Sequence, residues 1–180
     1  NKLLLQLDGY LIIKPHLFTD IKVSSSNFGL NEIFSILPWN NYKWISKYSL
    51  GGNGKMIAHI KGIISKNNIP RVTTNFVINN GYFTNKKTKT KISEINLNGS
   101  LSGNNINNFK LELKSINAQL STGKIKGNLY VTNFKKPEFS TEIYSTINLN
   151  NLYHLFELDT IENLSGLLTI NLKSKDKFLE

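Results

Sequence analysis

The chain has 180 residues, no cysteine and a formal charge of +10. The lack of cysteine excludes disulfides, thiolate chemistry and most structural zinc sites. The basic balance would suit nucleic acid or an anionic membrane, but Arg71 is the only arginine, and so little of the guanidinium fork that reads bases and phosphates argues against nucleic acid as a partner.

No apolar run approaches the roughly 18 to 20 residues that span a bilayer, and there is no signal-peptide pattern. The chain opens at Asn1 and stops at Glu180 inside a strand-like pattern, so it is expected to be one incomplete segment of a longer protein. Asparagine makes up about one residue in seven, which together with the lysine bias reads as solvent-facing composition.

Side chains that alternate between apolar and polar with period two point to strands. Early strands are expected near Leu3 to Leu7, Tyr10 to Lys14 and Leu17 to Val23. A first helical insert follows near 31–48, with Asn31 as its N-cap and Ile33, Phe34 and Leu37 at helical spacing. Pro38 would end that turn, and a further one would carry Tyr42, Trp44, Ile45 and Tyr48. Trp39 and Trp44 are read as helix-to-sheet packing.

The run Gly51-Gly52-Asn53-Gly54-Lys55-Met56 resembles a phosphate loop only superficially. Ser49 stands where the first glycine is needed and Met56 where a hydroxyl would hold magnesium, so it reads as a turn leading into a strand. Strands are expected from Lys55 to Ser65 and from Arg71 to Asn79. Lys86-Lys87-Thr88-Lys89-Thr90-Lys91 then reads as a solvated hairpin loop.

From Lys91 to Leu101 the apolar set is Ile95, Leu97 and Leu101. The next run sets Phe109, Leu111 and Leu113 against Lys110, Glu112 and Lys114, then slips phase so that Ile116, Ala118 and Leu120 carry the apolar face. A one-residue slip predicts a bulge near Ser115. Ser121-Thr122-Gly123 reads as a tight turn. Ile125, Gly127, Leu129 and Val131 follow on one face, then Phe139, Ile143, Ile147 and Leu149 after Pro137. A second helical insert is expected near 150–157, capped by Asn150, and beyond it another alternating run includes Ile170. Short connections between successive strands imply an antiparallel meander.

Leu30-Asn31-Glu32-Ile33-Phe34-Ser35-Ile36-Leu37 recurs in kind as Leu149-Asn150-Asn151-Leu152-Tyr153-His154-Leu155-Phe156, about 119 residues on. Each copy is followed by Leu-x-Gly (Leu50-Gly51-Gly52, then Leu164-Ser165-Gly166). The echo predicts stacked modules with one continuous core and a module boundary near 149–166.

Six strands of about ten residues give an apolar face on the order of 900 Å². Two helices of about ten residues cover only about 300 Å² of it, and soluble monomers seldom expose contiguous apolar patches beyond a few hundred Å². The cover is therefore a sheet curled on itself, a second sheet, or an apolar ligand.

The stretches Ile95-Asn96-Leu97-Asn98-Gly99-Ser100-Leu101-Ser102-Gly103, Leu111 to Leu120 and Gly123-Lys124-Ile125-Lys126-Gly127-Asn128-Leu129, with Leu158 to Gly166 downstream, carry a resemblance. In this order they are similar to the C-terminal region of AsmA-family proteins, which are related to TamB and the bridge-like lipid transfer proteins. The resemblance runs from the first helical insert to the end of the chain, through patterns of glycine and aliphatic residues. It implies a mainly β fold: an extended, curved antiparallel sheet, a repeating β-groove with two short helical inserts. It implies a periplasmic protein of a double-membrane bacterium, held in the inner membrane by a segment outside these residues. The expected cargo is phospholipid, moved between inner and outer membrane in support of outer-membrane biogenesis.

Expected groove lining is Ile95, Leu97, Leu111, Leu113, Ile125, Leu129, Val131, Ile143, Ile147 and Ile170, each of which ordinary core packing would also explain. The alternative is a scaffold of the same fold with a closed core, which assists outer-membrane protein assembly through envelope protein partners. No enzyme chemistry, cofactor or metal is expected. His16, His59 and His154 are far apart in sequence, with no cysteine or close carboxylate at ligand spacing, and His154 is expected on the exposed side of its helix.

Overall fold

A computed structural model of the chain describes residues 4–27, 29–32, 46–105, 107–157 and 164–177. The period-two alternation is realised as nine strands: β1 (Gln6–Ile12), β2 (Phe18–Ser25), β3 (Tyr48–Ile63), β4 (Arg71–Asn85), β5 (Lys91–Gly103), β6 (Lys110–Leu120), β7 (Gly123–Thr132), β8 (Glu138–Asn148) and β9 (Leu167–Lys177). Each pairs antiparallel with the next, in spatial order β1 to β9, and β1 and β9 do not join. The fold is thus a mainly β, open and curved antiparallel meander.

In such a meander the connections after odd strands lie at one end and those after even strands at the other. Both helical segments sit at the second end. Residues 30–32 are helical between β2 and β3, and helix α1 (Leu149–Phe156) lies between β8 and β9. Six strands, β3 to β8, separate them.

The helix starts differ from those expected. Glu32 Oε2 accepts from the Gly29 N–H at 2.8 Å, so the cap is at Gly29 rather than Asn31. At α1 the N-cap is Asn148, whose Oδ1 accepts from Asn150 N at 2.9 Å, two residues before the expected cap. Tyr48, expected in the first helical insert, opens β3 and stacks on Phe83 at 4.3 Å between ring centroids. The expected features from Ile33 to Ile45, including Pro38, Trp39, Tyr42 and Trp44, lie outside the described residues.

Three strands are also longer or simpler than expected. The pairs near Leu3 to Leu7 and Tyr10 to Lys14 are parts of one strand, β1, running through Gly9. The glycine-rich run 51–54 lies inside β3 as a break in register between Gly51 and Asn53, not as a turn before it. β4 continues to Asn85, well past Asn79.

That break in β3 has neighbours. Register also shifts between Ile78 and Gly81 in β4 and between Ser93 and Asn96 in β5, so three irregularities lie side by side across the sheet. Asn80 and Glu94 adopt φ of 52° and 50° there, and Asn96 holds the corner by accepting from Asn80 N at 3.2 Å and donating to Glu94 O at 2.8 Å. Aligned bulges bend a sheet, and here the bend seats Leu30. A methyl added to Gly81 would lie 2.9 Å from Leu30 Cδ1 and 3.1 Å from Ile95 Cβ, which explains why this position has no side chain. The predicted slip near Ser115 is a register shift between Leu113 and Ile116.

Candidate functional site: the apolar inner face

Alternation gives the sheet two unlike faces. The outer face is mainly polar, although Tyr10, Ile12, Ile57, Val77, Tyr130 and Tyr144 are exposed on it, and it carries ion pairs between adjacent strands. Asp20 on β2 accepts from His59 Nε2 at 2.6 Å and from Lys61 Nζ at 2.7 Å, both on β3. His59, read from the sequence as having no close carboxylate, therefore has one across the strand ladder. The His59 bond first, then the Lys61 bond, holds the Asp20 carboxyl below its ordinary value. Lys173 Nζ sits 2.6 Å from Glu142 Oε1, and Lys91 lies over the Tyr82 ring at 5.1 Å from its centroid.

The inner face is mainly apolar, with the buried hydroxyl side chains Thr19, Ser25, Thr74, Thr141 and Ser145 set among its aliphatic residues. Register places all ten expected lining residues on it: Ile95 and Leu97 on β5, Leu111 and Leu113 on β6, Ile125, Leu129 and Val131 on β7, Ile143 and Ile147 on β8, and Ile170 on β9. Their surroundings divide them. Ile95, Leu111 and Ile147 are buried in protein contacts, while the other seven are half-buried.

Two clusters fill parts of this face. The larger joins Leu30, Phe76, Ile78, Ile95, Leu101 and Leu111 across the bent centre, and Phe109 and Phe134 stack at 5.9 Å at the end opposite the helices. The smaller gathers Leu120, Ile147 and Leu155 under α1. Ile78, Leu120 and Leu155 are 0%, 1% and 0% exposed, so the centre and the helical end are dry protein core.

The margins are different. On the inner side of β1, Leu7 and Leu11 are 67% and 55% exposed, and on β9 Leu172 is 43% exposed. A depression of about 280 Å³ lies around Leu7, Gly9, Leu11 and Ile21, and another of about 400 Å³ lies between Leu5, Ser25 and Met56. Leu7, Leu11, Leu101, Leu120 and Leu172 extend the expected face and were not singled out as lining from the sequence; period-two parity within each strand places them there. Buried Thr141 donates to Asn128 O at 2.7 Å, whereas the Ser145 hydroxyl on the same strand has no partner among the described residues.

At the helical end, polar contacts fix α1. Asn85 closes β4 with its side chain fully buried. Its Oδ1 accepts from Lys87 N at 2.8 Å and Thr88 N at 3.0 Å, which shapes the lysine-rich hairpin. Its Nδ2 donates to Leu155 O at 3.0 Å and to Glu157 Oε1 at 2.8 Å. Thr88 Oγ1 donates to His154 O at 2.7 Å, and the Glu157 N–H bonds Tyr153 O in a left-handed cap. Three of the last carbonyls of α1, orphaned by helix geometry, thus have partners. His154 is exposed, as expected. The Asn85 bond, with Lys87 beside it, holds the Glu157 carboxyl below its ordinary value, while burial, with Glu157 nearby, pushes the Tyr48 phenol up.

This arrangement offers apolar contact area, and among the described residues no group of three or more histidines, cysteines or acids is placed to hold a metal ion. No helix of the described residues is long and apolar enough to cross a membrane. Comparison of the chain with protein-family models, curated proteins and solved structures finds no match.

Proposed function

We propose that the chain is a non-enzymatic, AsmA-like lipid-binding segment whose inner face takes phospholipid acyl chains along its open margins. The observation that carries this reading is an open sheet with an apolar face that stays exposed at both edges, at Leu7 and Leu11 on one side and Leu172 on the other. Each methylene moved from water onto such a surface gains about 0.8 kcal/mol. The contact is nondirectional, so a chain could shift along the face without a fixed polar anchor. In this reading the protein acts in the periplasm, is held in the inner membrane by a segment outside these 180 residues, and carries phospholipid to the outer membrane.

The dry centre favours a second reading. With Ile78, Leu120 and Leu155 enclosed, the same sheet could serve as a closed-core scaffold that assists outer-membrane protein assembly through envelope partners. Native mass spectrometry of the purified chain, with extraction of bound lipid, separates the two. Stoichiometric phospholipid supports the first, and a folded, lipid-free chain that takes up none from vesicles overturns it.

A further inference from the structure

The turns after β1, β3, β5 and β7 share the end of the sheet opposite the helical segments. Their connecting residues, 13–17, 64–70, 104–109 and 133–137, include no acid. They carry the exposed lysines Lys14, Lys66, Lys135 and Lys136, and the exposed Arg71 and Lys110 open the strands beside them. Acids at this end lie within strands. Asp20 is bound by His59 and Lys61, while Glu138 and Asp176 belong to β8 and β9 at the far margin. At the helical end, by contrast, Lys86 Nζ donates to Ser46 O at 2.8 Å and Lys87 Nζ sits 3.4 Å from Glu157 Oε2.

Two of these turns also expose aliphatic side chains. Ile13 is 74% and Ile69 61% exposed, and Leu17, Ile63 and Ile64 are exposed beside them. Backbone bonds fix the arrangement. Ile64 N donates to Leu17 O at 2.8 Å, which holds the first turn against the second. Ser65 N donates to Asn68 O at 2.9 Å, and Ser65 Oγ accepts from Asn67 N at 3.3 Å and Asn68 N at 3.1 Å. These bonds close a tight turn with Ile64 and Ile69 on either side of Lys66. A cluster of exposed aliphatic residues rimmed by polar ones marks an interaction site rather than a merely solvated turn. The turn between β3 and β4 lies two strands inside β1, so a further strand ahead of β1 would extend the sheet beyond β1 and leave Ile64 and Ile69 where they are.

We infer that this end of the sheet docks on the surface of an anionic lipid bilayer, with the aliphatic residues of the turns at 13–17 and 64–70 entering the interface and the lysines around them meeting the headgroups. Charge complementarity carries the choice of partner, since an acid-free rim of lysines suits a negative surface. Interfacial apolar side chains reach about 5–10 Å into the headgroup boundary, while lysine stems lie along it with their ammonium groups in water. The aliphatic residues stand on separate turns with lysine and asparagine between them. A protein partner would need a shaped recess for each, whereas a fluid bilayer receives them without matching. With Arg71 the single arginine, the basic rim is poorly suited to reading nucleic acid. This inference does not rest on the lipid-groove reading, since a closed-core scaffold can dock by the same turns.

The test is cosedimentation of the 180-residue chain with vesicles of phosphatidylcholine containing about 30% phosphatidylglycerol, against vesicles of phosphatidylcholine alone. The chain should bind the anionic vesicles and leave the neutral ones, and salt near 0.5 M, where the Debye length falls to about 4 Å, should release it. Lys14→Gln and Lys66→Gln should each weaken binding about fivefold, and Ile69→Ser by about as much through lost apolar contact. A chain with no cysteine allows a site-specific readout that does not depend on these variants. A polarity-sensitive fluorophore on Ile69→Cys should shift to the blue on anionic vesicles and be quenched by brominated acyl chains, while the same label on Lys89→Cys at the helical end should do neither. Equal binding to neutral and anionic vesicles overturns the inference, because acyl uptake on the inner face would then explain it. A response at Lys89→Cys without one at Ile69→Cys overturns it too. So does a chain that ignores vesicles, whether or not it binds polyglutamate or DNA.

Discussion

The side-chain amide of Asn85 donates to the carbonyl of Leu155 at 3.0 Å, tying the end of β4 to the end of a helix 70 residues away in sequence. The same side chain shapes the hairpin at 86–90, so a single buried asparagine sets both the turn and the seat of α1. Asn85→Ala leaves Leu155 O and two hairpin N–H groups short of partners. It should cost about 1–3 kcal/mol for each group left buried and unsatisfied, read as a lower midpoint in urea unfolding. Asn85→Asp keeps the acceptor, loses the donor and sets a second carboxylate beside Glu157. It should be at least as harmful at neutral pH, and a variant as stable as the native chain would remove Asn85 from this role.

Glu157 makes the same docking sensitive to acid. Its folded pKa is depressed, chiefly by the Asn85 bond and then by Lys87, below the ordinary 4.5. A depressed carboxylate contributes stability that is fully present above the ordinary value and is lost as pH falls through the depressed one. The exchange of the α1 amides, taken relative to the intrinsic rate at each pH, should therefore be flat above about pH 5 and rise on further acidification. Glu157→Gln should abolish that rise while keeping the Asn85 contact, and an unchanged acid profile in this variant would show that other carboxylates control it.

The bent corner gives a coupled pair. Leu30→Ala removes a core side chain and should cost about 2–5 kcal/mol. Gly81→Ala forces a methyl to within 2.9 Å of Leu30 Cδ1 and should cost about 1–3 kcal/mol by overpacking. In the double variant the clash with Leu30 is relieved, so the combined loss in denaturant unfolding should fall short of the sum. Strict additivity would mean that the Ile95 contact alone excludes the methyl.

Much of the sheet is legible from parity alone. Ile95 to Leu101 and Ile125 to Val131 alternate in sequence, and between Leu111 and Leu120 the one-residue slip at Ser115 announces its bulge. Reading fails where local chemistry mimics a turn. Asp8-Gly9 splits β1 in two on paper, yet Gly9 simply lies where its backbone passes close to Asp20 O. Gly51, Gly52 and Gly54 suggest a loop, while the bend in β3 needs small residues under Tyr82 and against Gly81. The cap at Asn148 was displaced because Asn150 and Asn151 offer the same side chain nearby. Asn85 is not legible for a related reason: in a chain so rich in asparagine, residue type does not distinguish a buried bridge from a solvated surface. Parity found the face of the candidate site but not its margins, since which apolar residues stay uncovered depends on how far the sheet curls.

That distinction between face and margin can be measured. Leu129 and Leu172 lie on the inner face where it is half-buried or open, whereas Leu120 is enclosed under α1. Leu120→Glu places an unpaired charge in dry core and should unfold the chain or cost several kcal/mol, on the order of 3–5. Leu172→Glu leaves its carboxylate within reach of water and should change stability by no more than about 1 kcal/mol. If acyl chains lie along the open margin, Leu172→Glu should nonetheless cut copurified phospholipid severalfold, because a charge in the path must be desolvated for each lipid that passes. Leu129→Glu should give an intermediate loss of stability with the same loss of lipid. Equal lipid content in the native chain and both variants, with all three folded by circular dichroism, would place any bound lipid elsewhere and favour the closed-core scaffold.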